Sequence, residues 1–267
     1  MEHIAADLCN SCAIGDAERG LDRREFFFVF QPKLRLQECR LSGFESLLRW
    51  RHPVHGVLTP AAFIHFVENS PLTARFTDFV VTEAARTLAD WTVRGHETLS
   101  LAINLPASEI GRPGLANKLS TLLRTRALNA SRLQIELTET TDPGPIDVLA
   151  SAIASLRKAG VSVAIDDFGS GCWSLSILHK LGVDTLKLDR TFMYDIQENA
   201  DLKVMVETLV QLGQRLGKRV VLEGIETAAQ FAWAKTIGQI DCQGYYISKP
   251  ITDEQIDRFI EKNGITH

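Results

Sequence analysis

No apolar run in this chain of 267 residues reaches the roughly 18 residues that cross a bilayer. The start, Met1-Glu2-His3, has no basic stretch leading into an apolar core. The expectation is therefore a cytoplasmic chain without a membrane span. A basic excess is also lacking: 29 Lys and Arg stand against 33 Asp and Glu, a formal net charge of −4. That balance argues against a polymeric nucleic-acid partner, which needs a cationic footprint. A small phosphodiester remains admissible, because divalent cations can neutralise it inside an acidic pocket. Cysteines number five, an odd count without framework spacing, which reads as reduced thiols. Cys9 and Cys12 form a C-x-x-C pair with no second pair and no leading strand, so they read as thiols on an N-terminal helix rather than as a zinc or redox site. There is no low-complexity tract, and 45% hydrophobic residues are enough for a substantial core. The length suits one large domain.

What is present is a strand–helix rhythm. Glu25 to Phe30 and Gly43 to Trp50 read as strands flanking a turn near Gln37-Glu38-Cys39, and Pro71 to Arg94 has helical spacing. Strand-like runs then alternate with helical stretches: Leu99 to Asn104, Arg132 to Leu137, Val161 to Asp166, Thr185 to Asp189, Arg219 to Gly224 and Ile240 to Gln243. Eight strands in this rhythm predict an α/β fold, either a closed barrel or an open doubly wound sheet. The strand faces separate the two. Ser100, Ala102 and Asn104 share one face, against Leu99, Leu101 and Ile103. Gln134 with Glu136, Ser162 with Asp166, and Lys187 with Asp189 repeat that split. Strands of an open sheet are covered on both faces and should be apolar on both. A barrel has a lumen that takes the polar face, so a (β/α)8 barrel is the expected architecture.

Polar groups end nearly every strand on that face: Glu45, Asn104, Glu136, Asp166 with Asp167, Lys187, Glu223 and Gln243. Singly, each is explained by helix capping or solvent. Converging at one barrel mouth, the carboxylates repel one another and need a cation. Oxygen donors without histidine or cysteine favour Mg²⁺, Mn²⁺ or Ca²⁺ over zinc. Adjacent aspartates suit a two-metal site, with ions about 3.5–4 Å apart. Lys187 could position or deprotonate an attacking water, or simply pair with Asp189 or another carboxylate.

The ordered motifs from about Glu25 to about Ile260 resemble the EAL-domain family. They are Gln31-Pro32, Glu45-Ser46-Leu47 within GFESLLRW, Arg51-His52-Pro53, Asn104, ELTE from Glu136 to Glu139, IDDFGSG from Ile165 to Gly171, LKLDR from Leu186, LEGIET from Leu222 and QGYYISKP from Gln243. The resemblance implies a TIM-like barrel in which an antiparallel first strand is allowed, and hydrolysis of cyclic di-GMP to linear pGpG with two Mg²⁺ or Mn²⁺ ions. By position it implies metal ligation by Glu45, Asn104, Glu136, Asp166, Asp167 and Glu223, with catalytic roles for Glu45, Lys187 and Glu223. Gln31, Arg49, Asp189 and Gln243 fall at substrate-contact positions, and Glu139 at the residue steadying the DFGSG loop. A homodimer follows by the same resemblance. Ca²⁺ is expected to inhibit, because its looser coordination spoils two-metal geometry.

Three departures stand out. Ser46 replaces the family alanine, but strand alternation points it away from Glu45 and toward the helices. Pro106 stiffens the turn after Asn104. Cys172-Trp173 alters the loop and leaves a large apolar ring there. The domain reading is a helical extension over 1–22 and an EAL domain over 23–262. A sensory domain does not fit in that extension, which leaves a stand-alone enzyme or a piece of a larger regulator. A catalytically inactive cyclic di-GMP receptor or protein-interaction module is the alternative.

Overall fold

The computed structural model describes residues 10–138, 145–169 and 173–263. Helix α1 (Asn10–Asp22) leads into a hairpin of β1 (Phe26–Arg35) and β2 (Arg40–His52). The turn over 36–39 is too short for a crossover, so the two strands must run antiparallel. A short β3 (Gly56–Leu58), α2 (Ile64–Glu68) and α3 (Thr73–Val93) follow. The βα alternation then runs through β4 (Ser100–Pro106), α4 (Ala107–Ile110), α5 (Leu115–Thr125), β5 (Leu133–Thr138), α6 (Ile146–Lys158) and β6 (Ser162–Phe168). It ends with α7 (Leu175–Leu181), β7 (Thr185–Leu188), α8 (Ala200–Arg215), β8 (Arg219–Leu222), α9 (Ala228–Ala234), β9 (Asp241–Cys242) and α10 (Ile256–Asn263).

Hydrogen bonding runs β1-β9-β8-β7-β6-β5-β4-β2, and β2 pairs back onto β1, which closes a barrel of eight strands with β3 attached outside to β2. The fold is thus the TIM-like (β/α)8 barrel, with β1 antiparallel to both neighbours and the remaining barrel pairs parallel. Outward residues such as Leu101, Ile103, Ile135, Leu137, Val163 and Ile165 are buried under the helices in one continuous core. Their burial is the main stabilising term, on the order of 1.5–3 kcal/mol per side chain.

Because β1 is reversed, its first residues lie at the barrel end where the parallel strands finish. A second apolar cluster forms there around Phe26, Trp50, Phe63, Val67 and Phe76, and Ala17 of α1 packs into it. Gly20 makes that docking possible, since a Cβ would stand 2.9 Å from both Phe26 and Trp50. Arg75 of α3 holds α1 from the other side through Glu18 at 2.7 Å and Asp22 at 2.8 Å.

One element was not foreseen and one expectation needs correction. The strand β3 carries no signal of its own in a three-residue run and forms because β2 offers it an edge at Trp50 to His52. Trp173 is not a ring left out on a loop: it is 5% exposed and packs into the main core. Its loop neighbour Cys172 lies outside the described residues, as do Cys9 and Glu139, while Cys12 falls within α1.

Candidate active site

Lys187 sits at the middle of the lumen, 1% exposed, and gathers the acids. Its Nζ lies 2.7 Å from Glu136, 2.7 Å from Glu223, 2.8 Å from Asp166 and 3.4 Å from Glu45. Register explains the convergence. Glu45 pairs with Ala102, Asn104 with Glu136, and Glu136 with Ala164, so neighbouring strands present their polar side chains to one lumen at successive heights. Asn104 donates its Nδ2 to Glu45 Oε1 at 2.8 Å, and Gln243 donates its Nε2 to Glu45 Oε2 at 2.7 Å. Pro106 ends β4 without disturbing that contact, in an extended conformation that also starts α4. Ser46 points outward as its alternation requires and donates to the Ala102 carbonyl at 2.8 Å.

Strict alternation would send Asp167 away from Asp166. The strand breaks register between Ile165 and Phe168, and Asp167 takes a left-handed φ of 50°. That conformation is costly for a non-glycine residue. It turns both carboxylates to one side. Oxygens of Asp166, Asp167 and Glu223 lie within 4.8 Å of one another, as do those of Glu45, Glu136 and Asp166.

Electrostatics follow from burial and this crowding. Burial would raise the Glu45 carboxyl, but Lys187, Gln243, Asn104 and Lys33 hold it below its ordinary value. Burial pushes Glu136 up despite Lys187, and pushes Glu223 well up, with Asp166 and Glu45 adding to the shift. Asp167 is raised to about 7 by burial, by Asp166 and by hydrogen bonding to Asp189. Burial works against the Lys187 ammonium, but Asp166, Glu136, Glu223 and Glu45 outweigh it and keep the charge.

The donor set fits hard divalent cations. Two carboxylate groups share Asp166, and the buried Asn104 Oδ1 has no hydrogen-bond partner, an oxygen free to ligate. Five acids stand against two lysines, Lys187 and Lys33, so the carboxylates outnumber the ammonium groups and favour cation uptake.

Around the acids, a cavity of 390 Å³ is lined by Gln31, Glu45, Asp189, Glu223, Gln243 and Tyr245, among others. Gln243 also donates to Gln31 Oε1 at 3.1 Å, and Asp189 accepts from the Thr191 amide at 2.8 Å. Gly244 lets β9 leave the barrel beside Gln243, since a Cβ there would meet the Ile225 carbonyl oxygen at 2.1 Å. Arg49 is half-buried and turns its guanidinium onto the Leu48 carbonyl at 2.7 Å. The expected loop contact of Glu139 lies outside the described residues.

Two side chains went unnoticed in the sequence. Lys33 continues the lumen face of Gln31 and reaches Glu136 at 3.1 Å. Alternation past residue 30 would have found it, had the strand been drawn to its full length. Glu68 lines a largely apolar cavity of 440 Å³ between β2, α2 and α3 that also touches Asn104 and Asp166. Burial pushes its carboxyl up. No local motif marks it, because its neighbours come from distant segments.

Comparison with known proteins matches this geometry to one family. A family model described as the EAL domain matches residues 14–250. The chain is 34% identical over 241 residues to the bifunctional diguanylate cyclase/cyclic di-GMP phosphodiesterase MucR of Pseudomonas aeruginosa, covering 90% of this chain and 35% of that protein. It is 35% identical to the cyclic di-GMP phosphodiesterase NbdA of the same organism, covering 86% of this chain and 30% of that protein. The chain therefore spans about a third of the length of these curated relatives. Among solved structures, the PaMucR phosphodiesterase in complex with c-di-GMP superposes with a TM-score of 0.84 at 33% identity, over 91% of this chain and 99% of that one. With the family model spanning the barrel from α1 to the residues after β9, the chain belongs to the EAL-domain family.

Proposed function

We propose that the chain is a cytoplasmic phosphodiesterase that hydrolyses cyclic di-GMP to linear pGpG with two divalent ions, Mg²⁺ or Mn²⁺. The observation that carries the reading is the pair of carboxylate groups sharing Asp166. Glu45, Asn104, Glu136 and Asp166 form the ligand set of one ion, and Asp166, Asp167 and Glu223 that of the other. When bound, the ions neutralise the phosphodiester and make a water more acidic. The chain's own groups do the rest. Water oxygen attacks phosphorus, the bond to the 3′ oxygen breaks, and that oxygen leaves with a proton. Lys187, held cationic by four carboxylates, positions the water and offsets charge developing on phosphorus. Glu223, 2.7 Å from the Lys187 ammonium and within 4.8 Å of Asp166 and Asp167, would accept a proton from the water as a carboxylate. Gln31, Asp189 and Gln243 line the cavity beside these acids and orient the nucleotide, and Arg49 interacts electrostatically with Tyr245 of the same cavity. We read 23–262 as the catalytic unit, 1–22 as its helical extension, Glu139 as the support of the loop after β6, and a homodimer as the assembly.

The 440 Å³ cavity reaching Glu68 suits one guanine base: its walls are largely apolar, and a half-buried carboxylate complements the donor edge of guanine. Glu68→Ala is expected to raise KM at least about tenfold with little change in kcat, since a charge-assisted hydrogen bond contributes about 1.5–3 kcal/mol. A fall in kcat at constant KM would remove Glu68 from base recognition.

The deciding experiment is pGpG formation from cyclic di-GMP with Mg²⁺ or Mn²⁺, with turnover expected and with Ca²⁺ suppressing it. Binding of cyclic di-GMP without turnover would make the chain a receptor instead.

A further inference from the structure

Lys33 belongs to no ligand set above, yet it is buried to 4% exposure deeper in the barrel than the acids. On the reversed β1 it lies opposite Gly43, two residues below the Gln31–Glu45 pair. A buried ammonium is costly unless its partners are fixed. Here they are fixed on both sides. Its Nζ donates to Glu136 Oε1 at 3.1 Å and to Gln134 Oε1 at 3.0 Å. The Gln134 amide cannot turn over, because its Nε2 donates to Thr185 Oγ1 at 3.0 Å. Glu136 is fully buried, and Lys33 is the partner of that oxygen. The other oxygen, Oε2, faces Lys187 at 2.7 Å and the rest of the acids.

We propose that Lys33 is a positioning residue for the metal centre: from below, it occupies one oxygen of Glu136 and so presents the other as a single ligand to the Glu45–Asp166 group. The inference rests on the metal-site reading given above. Second partners of this kind orient metal ligands, and their loss typically costs about 10–100-fold in metal affinity. Lys33→Met keeps the stem and removes the charge. Lys33→Arg restores charge and donors, and the 30 Å³ cavity beside Lys33 gives the larger head room.

The test is Mn²⁺ binding to the parent and both variants by calorimetry, with cooperative thermal melting in chelator to establish folding and KM for cyclic di-GMP at saturating Mn²⁺. Lys33→Met should bind Mn²⁺ about 10–100-fold more weakly, Lys33→Arg within about threefold of the parent, and KM should change less than about twofold. Parent-like Mn²⁺ affinity in folded Lys33→Met, or equal weakening in both variants, overturns the proposal. Should Lys33→Met fail to melt cooperatively, Lys33→Arg decides: affinity near the parent's supports the proposal, and a tenfold loss overturns it. If the parent itself binds no Mn²⁺, the metal-site reading fails rather than the role of Lys33 within it.

Discussion

Glu45→Ala is expected to lower pGpG formation by more than about a hundredfold, while Ser46→Ala stays within about twofold of the parent. The two residues are adjacent on β2, so the contrast tests which way the strand faces. Glu45 turns into the lumen, where Asn104 and Gln243 hold its two oxygens and Lys187 lies 3.4 Å away. Removing it deletes a carboxylate of the Glu45–Glu136–Asp166 group, a larger loss than an outer partner would cause. Ser46 turns to the helices and donates to the Ala102 carbonyl. Its replacement by alanine should cost about 1 kcal/mol of stability, visible in thermal melting and not in turnover. Equal activity in the two variants would contradict the assignment of faces and the role of Glu45 with it.

Lys187→Met should have the largest combined effect. Four carboxylates within 3.4 Å lose the ammonium they share, and two of them, Glu45 and Glu136, are buried. Breaking one buried ion pair costs about 3–5 kcal/mol, so melting in chelator should fall by a comparable free energy. Saturating Mn²⁺ should recover part of that loss, because bound cations take over the neutralisation. Turnover should remain about 10²–10⁴-fold down even then, since Mn²⁺ does not replace the group that positions the water. Parent-like turnover with Mn²⁺ would reduce Lys187 to a structural counter-ion.

Much of this was legible in the sequence for a specific reason. Parallel barrel strands are apolar outside and polar within, so alternation at Ser100 to Asn104, Gln134 to Glu136 and Ser162 to Asp166 pointed to a lumen before any coordinates. The antiparallel β1 came from the family resemblance, and the short turn over 36–39, which cannot hold a crossover, is its physical reason. Features set by tertiary context were hidden. Asp167 joins Asp166 only through a register break and a left-handed backbone, which periodicity cannot supply. Glu68 comes near the acids because α2 and α3 fold over the end of β2, and Trp173 finds core contacts that its loop position did not suggest. The substrate came from motif order rather than from the acids, which alone call for a divalent-metal hydrolase and no particular ester.

The lumen acids would hold two ions, with Asp166 belonging to both groups of carboxylates. A crystal structure grown with Mn²⁺ and cyclic di-GMP, with anomalous scattering used to locate the metal, tests it most directly. Two peaks about 3.5–4 Å apart are expected, one against Glu45, Asn104, Glu136 and Asp166 and the other against Asp166, Asp167 and Glu223, with the scissile phosphate beside them. Bound nucleotide with no peak among these acids would contradict it.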